Sequence, residues 1–370
     1  MASSSLTLSR RALVGAAVTL GACPSRLMAQ RAQNVQQIVA GTYAREGGPG
    51  LAQLEASPNG WVMRGAVSTI ANASFGVRNA AGMRYLVDEQ AEGSLSIHGR
   101  DLRRISTVST LGADPCHVAL AANGRALAVA NYSSGSVTLW KLDARTGLPV
   151  GDGQRIRHDG SGPNRERQAS AHAHWVGFAP GRPFLHAVDL GADAVFAHRL
   201  HPRSGALADT RIAYRAEPGS GPRHLARHPR LPVAFLVAEL ANTVTTLQAQ
   251  TNGTFTARGV VSTLPTGFNG PSAAAHIAVN RSGDRLYVSN RGHDSIAVFA
   301  IDRQGGLTLL QHFGCGGHWP RMFLLLEDRG EMLVANERSG NIARLRIAGN
   351  GTLYAASPGP SIPGVVYLSI

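Results

Sequence analysis

The chain has 370 residues, of which 44% are hydrophobic and 43 are glycine, a composition that excludes a disordered chain and is typical of a globular protein. The formal net charge is +13, and Lys141 is the only lysine. No basic run of five to eight residues and no nucleic-acid-binding motif occurs, so we expect no nucleic-acid partner. The charge indicates either a general preference for arginine or a positive cleft for a small anionic substrate.

The first residues have the pattern of an export signal. The pair Arg10–Arg11 precedes an apolar run over residues 12–22, which is too short for a permanent membrane span and resembles the twin-arginine signal. We predict that residues 1–29 form this signal, cleaved after Ala29 or, alternatively, before Cys23, which would then carry a lipid anchor. A buried N-terminal helix is the other interpretation. We expect an exported, periplasmic bacterial protein without an integral membrane span.

Short strands follow the signal. Residues 37–43 form an apolar run, and residues 47–54 read as a turn plus a second strand. Together with residues 61–64 they make an incomplete first sheet. The last segment, residues 364–370, is a single strand without a partner in the adjacent sequence.

Between Asn72 and Leu345 one unit occurs six times: an apolar run, a turn, a second apolar run that ends in an acidic residue, Asn or Arg, and a third run. The period is about 42 to 57 residues, which is typical of radially repeated β-sheets. The second runs are Arg84–Gln90, Arg125–Tyr132, Phe184–Leu190, Ala234–Leu240, Arg285–Arg291 and Glu331–Glu337.

The repeats predict an all-β fold, a seven-bladed β-propeller over residues 37–370. Length alone would allow two domains, but closed propellers are large single units. Pairing of the C-terminal strand with the N-terminal sheet would complete the seventh blade and remove the exposed edges. The six full repeats begin near Asn72, Asp114, Ser170, Gly221, Ser272 and Trp319.

Two positions in each repeat are rich in polar residues: the start of the innermost strand and the end of the second strand, about fifteen residues later. Because strands alternate direction within a blade, both positions reach the same face and should surround one central mouth. Titratable groups that converge in this way are typical of acid/base sites. The first group is Cys116, His117, His172, His174, Arg223, His224, His276 and Arg321; the second is Asp88, Glu89, Asn131, Tyr132, Asp189, Glu239, Asn290, Arg291, Asn336 and Glu337.

His172 and His174 have a competing interpretation as a metal pair. Residues i and i+2 on a strand point to the same side, and Asp189 or Glu239 could supply a third ligand. No acidic cluster or cysteine spacing specific to a metal accompanies them. We therefore expect no metal and no other cofactor.

The cysteines and serines do not indicate a nucleophile. Cys116 and Cys315 fall in repeats well separated around the ring, so we predict two free thiols. Neither has the local context of a catalytic cysteine. A Gly-x-Ser-x-Gly elbow is absent from the sequence, which argues against a serine hydrolase.

Several motifs indicate a family: Gly162–Gln168, Ala171–His174, Asp189–Gly191, Gly219–Leu225, Glu239–Leu240 and Tyr287–Ile296. From about Val39 to the C-terminus the sequence resembles the propeller-type 6-phosphogluconolactonase family, also called the lactonase family. Its members are seven-bladed propellers related to a fungal carboxymuconate lactonising enzyme. The resemblance implies that His and Glu act as acid/base groups and that two arginines clamp an anion, which in this sequence are His172, His174, Glu239, Arg223 and Arg291.

The other residues expected at the mouth are assigned to substrate binding: His117, Asp189, His224, His276, His293 and Arg321. The sequence departs from the family pattern at two positions. His276 stands where the family often has Glu, and Met322 stands where it often has a polar residue. The first departure changes the charge of the mouth and therefore bears on which substrate is used.

The resemblance predicts hydrolysis of a sugar lactone, an intramolecular ester, so the expected partner is a small anionic sugar lactone or sugar acid. The phosphorylated lactone of the family name is a cytoplasmic metabolite, and the predicted export therefore favours another sugar lactone. Two alternatives stay open. One is a lactonising cycloisomerase of the muconate type, and the other is a non-enzymatic exported propeller that binds a partner.

Overall fold

The computed structural model describes the chain from residue 37 to residue 370, except residues 202 and 203. The predicted export signal over residues 1–29 lies outside these residues. The described part contains 28 strands in seven four-stranded sheets. All strand pairs are antiparallel, and the first strand of each sheet contacts the first strands of its two neighbours, so that the sheets form a closed ring.

Each sheet is one blade, and the strands are numbered in chain order. Blade 1 contains β28 (Val365–Ser369), β1 (Gln37–Thr42), β2 (Leu51–Ser57) and β3 (Gly60–Val67). Blade 2 contains β4 (Ala73–Arg78), β5 (Arg84–Asp88), β6 (Ser94–His98) and β7 (Arg104–Ser109). Blade 3 contains β8 (Pro115–Leu120), β9 (Ala126–Asn131), β10 (Ser136–Leu142) and β11 (Pro149–Arg157). Blade 4 contains β12 (Ala173–Phe178), β13 (Phe184–Asp189), β14 (Ala194–Leu200) and β15 (Leu207–Arg215).

The second half of the chain repeats this order. Blade 5 contains β16 (Pro222–Arg227), β17 (Val233–Ala238), β18 (Thr243–Ala249) and β19 (Phe255–Ser262). Blade 6 contains β20 (Ala273–Val279), β21 (Arg285–Arg291), β22 (Ser295–Ile301) and β23 (Leu307–Gly314). Blade 7 contains β24 (Pro320–Leu326), β25 (Glu331–Asn336), β26 (Asn341–Ile347) and β27 (Leu353–Ser361). Two short 3₁₀ helices, Ala44–Glu46 and Glu327–Arg329, lie between β1 and β2 and between β24 and β25. In the described residues no helix has the length and hydrophobicity needed to cross a membrane.

The predicted fold class is confirmed. Each of the six predicted repeats begins within three residues of the innermost strand of a blade. The predicted closure is also confirmed, because the C-terminal strand β28 is the innermost strand of blade 1 and pairs with β1, with Ala40 opposite Leu368. Side chains of neighbouring blades pack together to form the core. Val188 and Val195 of blade 4, for example, belong to the same buried cluster as Leu225 and Leu236 of blade 5.

A β-bulge near the mouth end of the innermost strand occurs in all seven blades. After the first pair of residues opposite the second strand, or after the second pair in blade 6, the register shifts and leaves residues unpaired. A bulge bends its strand and re-aims the side chain of the extra residue. The bulged residues are Val366, Ser74, Cys116, His174, Arg223, the pair Ala275 and His276, and Arg321, in order from blade 1 to blade 7. Most of them line one cavity in the central channel.

Candidate functional site

The ends of the second strands provide two kinds of residue. The residue of the second strand that forms the last pair before the bulge is fully buried in several blades. Asn131 and Asn290, for example, donate from Nδ2 to the carbonyl oxygens of Thr110 and Thr263, at 3.1 and 2.8 Å. The residue after this position belongs to the mouth in most blades. These mouth residues are Glu89, Tyr132, Glu239, Arg291 and Glu337.

Glu239 is the centre of the first charged cluster. Its carboxylate accepts hydrogen bonds from Arg167 Nη2 at 2.6 Å and Arg223 Nε at 3.0 Å, and it forms a salt bridge with Arg291 Nη2 at 2.8 Å. Glu239, Arg223 and Arg291 are buried, whereas Arg167 is partly exposed. Burial alone would raise the pKa of Glu239, but the arginines, Arg291 foremost, hold it well below its ordinary value. Glu239 is therefore an anion with an excess of positive charge around it.

Backbone carbonyls fix the two buried arginines in this cluster. Arg223 Nη1 donates to the oxygen of Ala275 at 2.9 Å, and Arg291 donates to the oxygens of Ala273 and Ala274 at 3.2 Å. Burial and the nearby charge of Arg291 lower the pKa of Arg223 to about 9, so its guanidinium is charged at neutral pH. The guanidinium groups are rigidly held donors, which is the arrangement that stabilises a developing negative charge.

Four imidazoles lie beneath the arginines in the central channel. The rings of His174, His117 and His276 each contact the ring of His224, with centroid separations of 5.4, 5.3 and 5.7 Å. His117 also stacks on Phe75 at 4.1 Å. The remaining space is about 10 Å³, room for about one water molecule. The channel at this level therefore has no room for a sugar-sized ligand.

The channel imidazoles are neutral at pH 7. Burial, with repulsion by neighbouring cationic groups, lowers the pKa of His117, His174 and His224 well below the ordinary value. For His276 the same causes lower the pKa to about 3. Neutral imidazoles can accept a proton, and His174 is close enough to Glu239 for each to influence the pKa of the other.

His172 lies at the edge of the same cluster in a defined tautomer. Its Nδ1 lies 3.1 Å from the carbonyl oxygen of Tyr132, and because a carbonyl only accepts, Nδ1 carries the proton and Nε2 carries the lone pair. The ring stacks on Tyr132 with a centroid distance of 4.6 Å, and His174 contacts the same ring at 5.3 Å. Arg167 donates to the Tyr132 hydroxyl at 3.3 Å. Tyr132 thus joins both histidines to the arginines of Glu239.

A second charged cluster occupies the other side of the mouth, in blades 7, 1 and 2. Arg321 Nη2 donates to the hydroxyl of Tyr43 at 2.6 Å, and Tyr43 donates to Glu89 at 2.8 Å. Arg321 also lies 3.4 Å from Glu337 and 3.9 Å from Glu89. Although burial opposes it, the negative groups around Arg321 raise its pKa. The core of this cluster has two carboxylates, Glu89 and Glu337, and one guanidinium. In the first cluster, three guanidiniums surround the single carboxylate of Glu239.

The structure brings nine of the eleven predicted site residues together at the mouth or in the channel below it. Asp189 is not among them: it is fully buried, accepts a hydrogen bond from His158 Nδ1 at 2.8 Å and accepts from the backbone N–H of His172 at 2.7 Å. Asp189 occupies the buried position at the end of its strand, away from the mouth, so we interpret it as structural. The other exception is His293, which binds Ser295 Oγ at 2.6 Å and packs against Phe268 and His312 in blade 6.

The geometry also bears on the possible metal site and on the two cysteines. In the described residues no three His, Cys, Asp or Glu side chains are grouped closely enough to share a metal ion, and Asp189 is bound to His158. Cys116 and Cys315 are free thiols, as predicted. Burial raises the pKa of Cys116, so this residue at the mouth is a neutral thiol.

Sequence reasoning missed two residues that belong to the site. Arg167 lies in the loop between β11 and β12, outside the repeated positions, and Tyr43 follows β1 in the incomplete first sheet. The motif Gly162–Gln168, which contributes to the family resemblance, was the available signal for Arg167. Tyr132, Glu89 and Glu337 were noted at the strand ends but were not assigned a role.

Because the channel imidazoles are neutral in the folded protein, we expect the protein to lose stability in acid. A histidine in the unfolded chain binds its proton near pH 6.5, whereas His276 stays neutral down to a pH of about 3. Below pH 6.5 the unfolded state therefore binds the extra proton, and stability decreases by about 1.4 kcal/mol per pH unit for each such imidazole. In urea unfolding between pH 6.5 and 5, His276→Leu should show a shallower loss than the parent by about this amount. The exposed His201 provides the control, His201→Leu, and equal slopes for the parent and His276→Leu would contradict the prediction.

The fold is a seven-bladed propeller that gathers charged and polar side chains at one end of its channel. A family model described as "Lactonase, 7-bladed beta-propeller" matches residues 37–369. The chain belongs to this lactonase family of seven-bladed β-propellers, as the sequence resemblance predicted.

The chain is similar to several known proteins. It is 37% identical over 235 residues to the 6-phosphogluconolactonase of Bacillus subtilis, a match that covers 62% of this chain and 65% of that relative. The chain thus aligns with just under two thirds of that protein's length. Among solved structures, the periplasmic gluconolactonase of Pseudomonas aeruginosa is 27% identical, with a TM-score of 0.83 over 90% of this chain and 98% of that one. A protein from Lactobacillus plantarum is 29% identical with the same TM-score and coverage.

Proposed function

We propose that this protein hydrolyses a sugar lactone to the corresponding sugar acid. The observation that carries the proposal is the cluster at Glu239, where three arginines surround one carboxylate beside neutral histidines. Membership in the lactonase family and similarity to a 6-phosphogluconolactonase and a gluconolactonase support the same reaction class.

The arginines are assigned to the carbonyl group of the substrate. When water adds to a lactone, negative charge develops on the carbonyl oxygen, and donors that are already in place stabilise it without further reorganisation. Arg223 and Arg291 are held by both Glu239 and backbone carbonyls. Their N–H groups that are not used in these bonds are the proposed oxyanion donors, and they also hold the carboxylate of the product.

Proton transfer is assigned to a histidine. The arginines keep the pKa of Glu239 low, so Glu239 is a weak base and acts by positioning the guanidiniums. His172 is the proposed proton acceptor, because its Nδ1 bonds the carbonyl oxygen of Tyr132 and leaves Nε2 available; burial lowers the pKa of His174 well below its ordinary value and makes it a weaker base. His172 takes a proton from water as the water oxygen bonds to the carbonyl carbon, and the imidazolium returns the proton to the ring oxygen as the ester bond breaks.

The second cluster is assigned to the sugar hydroxyls. Glu89, Glu337 and the hydroxyl of Tyr43 face the arginine cluster across the ring. Carboxylates accept hydrogen bonds from hydroxyl groups. A lactone with its carbonyl at Arg223 and Arg291 would thus direct its polyol chain towards blades 7, 1 and 2.

We also propose that the protein is exported and acts on a lactone without phosphate. The basis is the Arg10–Arg11 pair and the apolar run after it. The similar protein from Pseudomonas aeruginosa is a periplasmic gluconolactonase, which is consistent with this location. Exclusive recovery of the protein from the cytoplasm of its host would contradict export.

A substrate panel tests the proposed reaction. The purified protein is mixed separately with glucono-1,5-lactone, its 6-phosphate and a muconate, with and without a chelator, and the pH change is followed in a weakly buffered indicator solution. We expect acid release above the spontaneous rate with glucono-1,5-lactone, and turnover of its 6-phosphate alone would contradict a substrate without phosphate. Closure of muconate to a lactone takes up a proton instead, so a rise in pH with muconate alone would favour the cycloisomerase. No turnover of any compound would favour a binding protein.

A further inference from the structure

A second cavity lies on the face opposite the mouth, between blades 4 and 5. It has a volume of about 550 Å³, within the range of pockets that hold small molecules. Its walls are the turn after β12, the turn after β16 and the turn between β18 and β19. All three turns lie at the strand ends remote from Glu239, so a ligand there would be separate from the proposed lactone site.

Arg227 is the unusual residue in this cavity. Arg227 Nη2 donates to His186 Nδ1 at 2.8 Å, and His186 Nε2 lies 2.7 Å from the carbonyl oxygen of Gly253. Because the carbonyl only accepts, Nε2 carries the proton and Nδ1 accepts from Arg227. The histidine is therefore neutral, and burial together with Arg227 lowers its pKa to about 4.

Arg227 lacks a counter-charge within the described residues. Burial lowers its pKa to about 10, and no carboxylate opposes that effect. Among the other arginines with little exposure, Arg223 and Arg291 pair with Glu239 and Arg321 pairs with Glu337, whereas Arg84 donates to Ser369 Oγ and to the oxygen of Ile370. A partly buried cation without an anion is costly, and a ligand anion would remove that cost.

The surroundings define the ligand further. Among the residues described around the cavity, none is Asp or Glu, and Phe184, Phe255 and three prolines provide an apolar wall. The guanidinium of Arg227 lies 5.9 Å from the centre of the Phe255 ring. At the rim, Arg182 donates to the carbonyl oxygen of Thr251 at 3.2 Å. Arg182 and Arg230 are exposed, so Arg227 is the one partly buried cation among the described lining residues. One such cation beside aromatic rings suits a single carboxylate on a flat apolar body, because the guanidinium fork matches a carboxylate.

We propose that this cavity binds a small organic acid with one carboxylate and a flat apolar body. The carboxylate pairs with Arg227, and the body packs against Phe184 and Phe255. The site is independent of the lactone reaction, so either proposal can fail without the other.

Calorimetric titration with benzoate tests this site. The parent should bind benzoate, and Arg227→Gln should weaken binding about tenfold or more, because a hydrogen-bonded charge pair is lost. The exposed Arg303 gives a matched control, Arg303→Gln, which should bind as the parent does. The neutral analogue benzamide should bind at least tenfold more weakly than benzoate.

Two additional measurements keep the result interpretable. Phe255→Leu retains the charge but removes the ring, and it should also weaken benzoate binding. Arg227→Gln should open lactones at the parental rate, which shows that the variant is folded. Equal benzoate affinity in the parent and Arg227→Gln, no binding by the parent, equal binding of benzamide, or loss of binding in Arg291→Gln would each overturn the proposal.

Discussion

Replacing Glu239 with glutamine is expected to lower kcat/KM for lactone opening about a hundredfold or more. The amide has no charge with which to hold Arg167, Arg223 and Arg291 together, so their mutual repulsion displaces the oxyanion donors. Loss of a single positioned donor typically costs about a hundred- to a thousandfold in rate. The measurement is the initial rate at subsaturating lactone, corrected for spontaneous hydrolysis.

Glu331 provides a matched control for this substitution. It is buried like Glu239 and is surrounded by Arg329 at 3.2 Å, Arg346 at 3.0 Å and Arg344 at 3.9 Å, but it lies at the start of β25, away from the mouth. Glu239→Gln leaves the buried Arg223 and Arg291 without their anion and should destabilise the protein by about 3–5 kcal/mol. The arginines around Glu331 are partly exposed, so Glu331→Gln should also destabilise the protein, but by less. Only Glu239→Gln should reduce turnover. An equal reduction in both folded variants would attribute the effect to stability and contradict the assignment.

Deleting the C-terminal strand is expected to prevent folding. Val365, Val366, Tyr367 and Leu368 are each at most 2% exposed, and complete burial of such side chains contributes about 1.5–3 kcal/mol each. Their sum is about as large as the 5–15 kcal/mol that stabilises a typical protein. Deletion also exposes the edge of β1, which favours aggregation.

Circular dichroism and gel filtration of a chain that ends at Gly364 test this prediction. Removal of Ile370 alone is the control, because that residue is 36% exposed and lies outside β28. The short deletion should retain a cooperative thermal transition. A monomeric, cooperatively folded protein that ends at Gly364 would show that the ring does not depend on this closure.

The architecture could be predicted because every blade uses the same pattern. Alternating apolar runs and glycine turns place the start of each innermost strand to within three residues. The final strand had no partner nearby and the first sheet was incomplete, and the two observations together indicated where the strand pairs. Topology therefore follows from the repeat, without knowledge of any single contact.

The site was less predictable because one residue of register decides where a side chain points. Asp189 and Glu239 both end a second strand, but Asp189 pairs directly with Ala173, whereas Glu239 is one residue beyond the pair Pro222 and Ala238. A side chain at the first position is buried away from the mouth, whereas a side chain at the second position lies at the mouth. Arg167 was harder still, because it reaches Glu239 across 72 residues from a loop outside the repeat.

The most direct test of the proposed lactone site is the rate at which the purified protein opens glucono-1,5-lactone, compared with its Arg223→Gln, Arg291→Gln double variant. We predict acid release by the parent well above the spontaneous rate, and a loss of about a hundredfold or more in a double variant that still folds. A parental rate equal to the spontaneous rate for both the plain and the phosphorylated lactone, or undiminished turnover without the two arginines, would contradict the proposal.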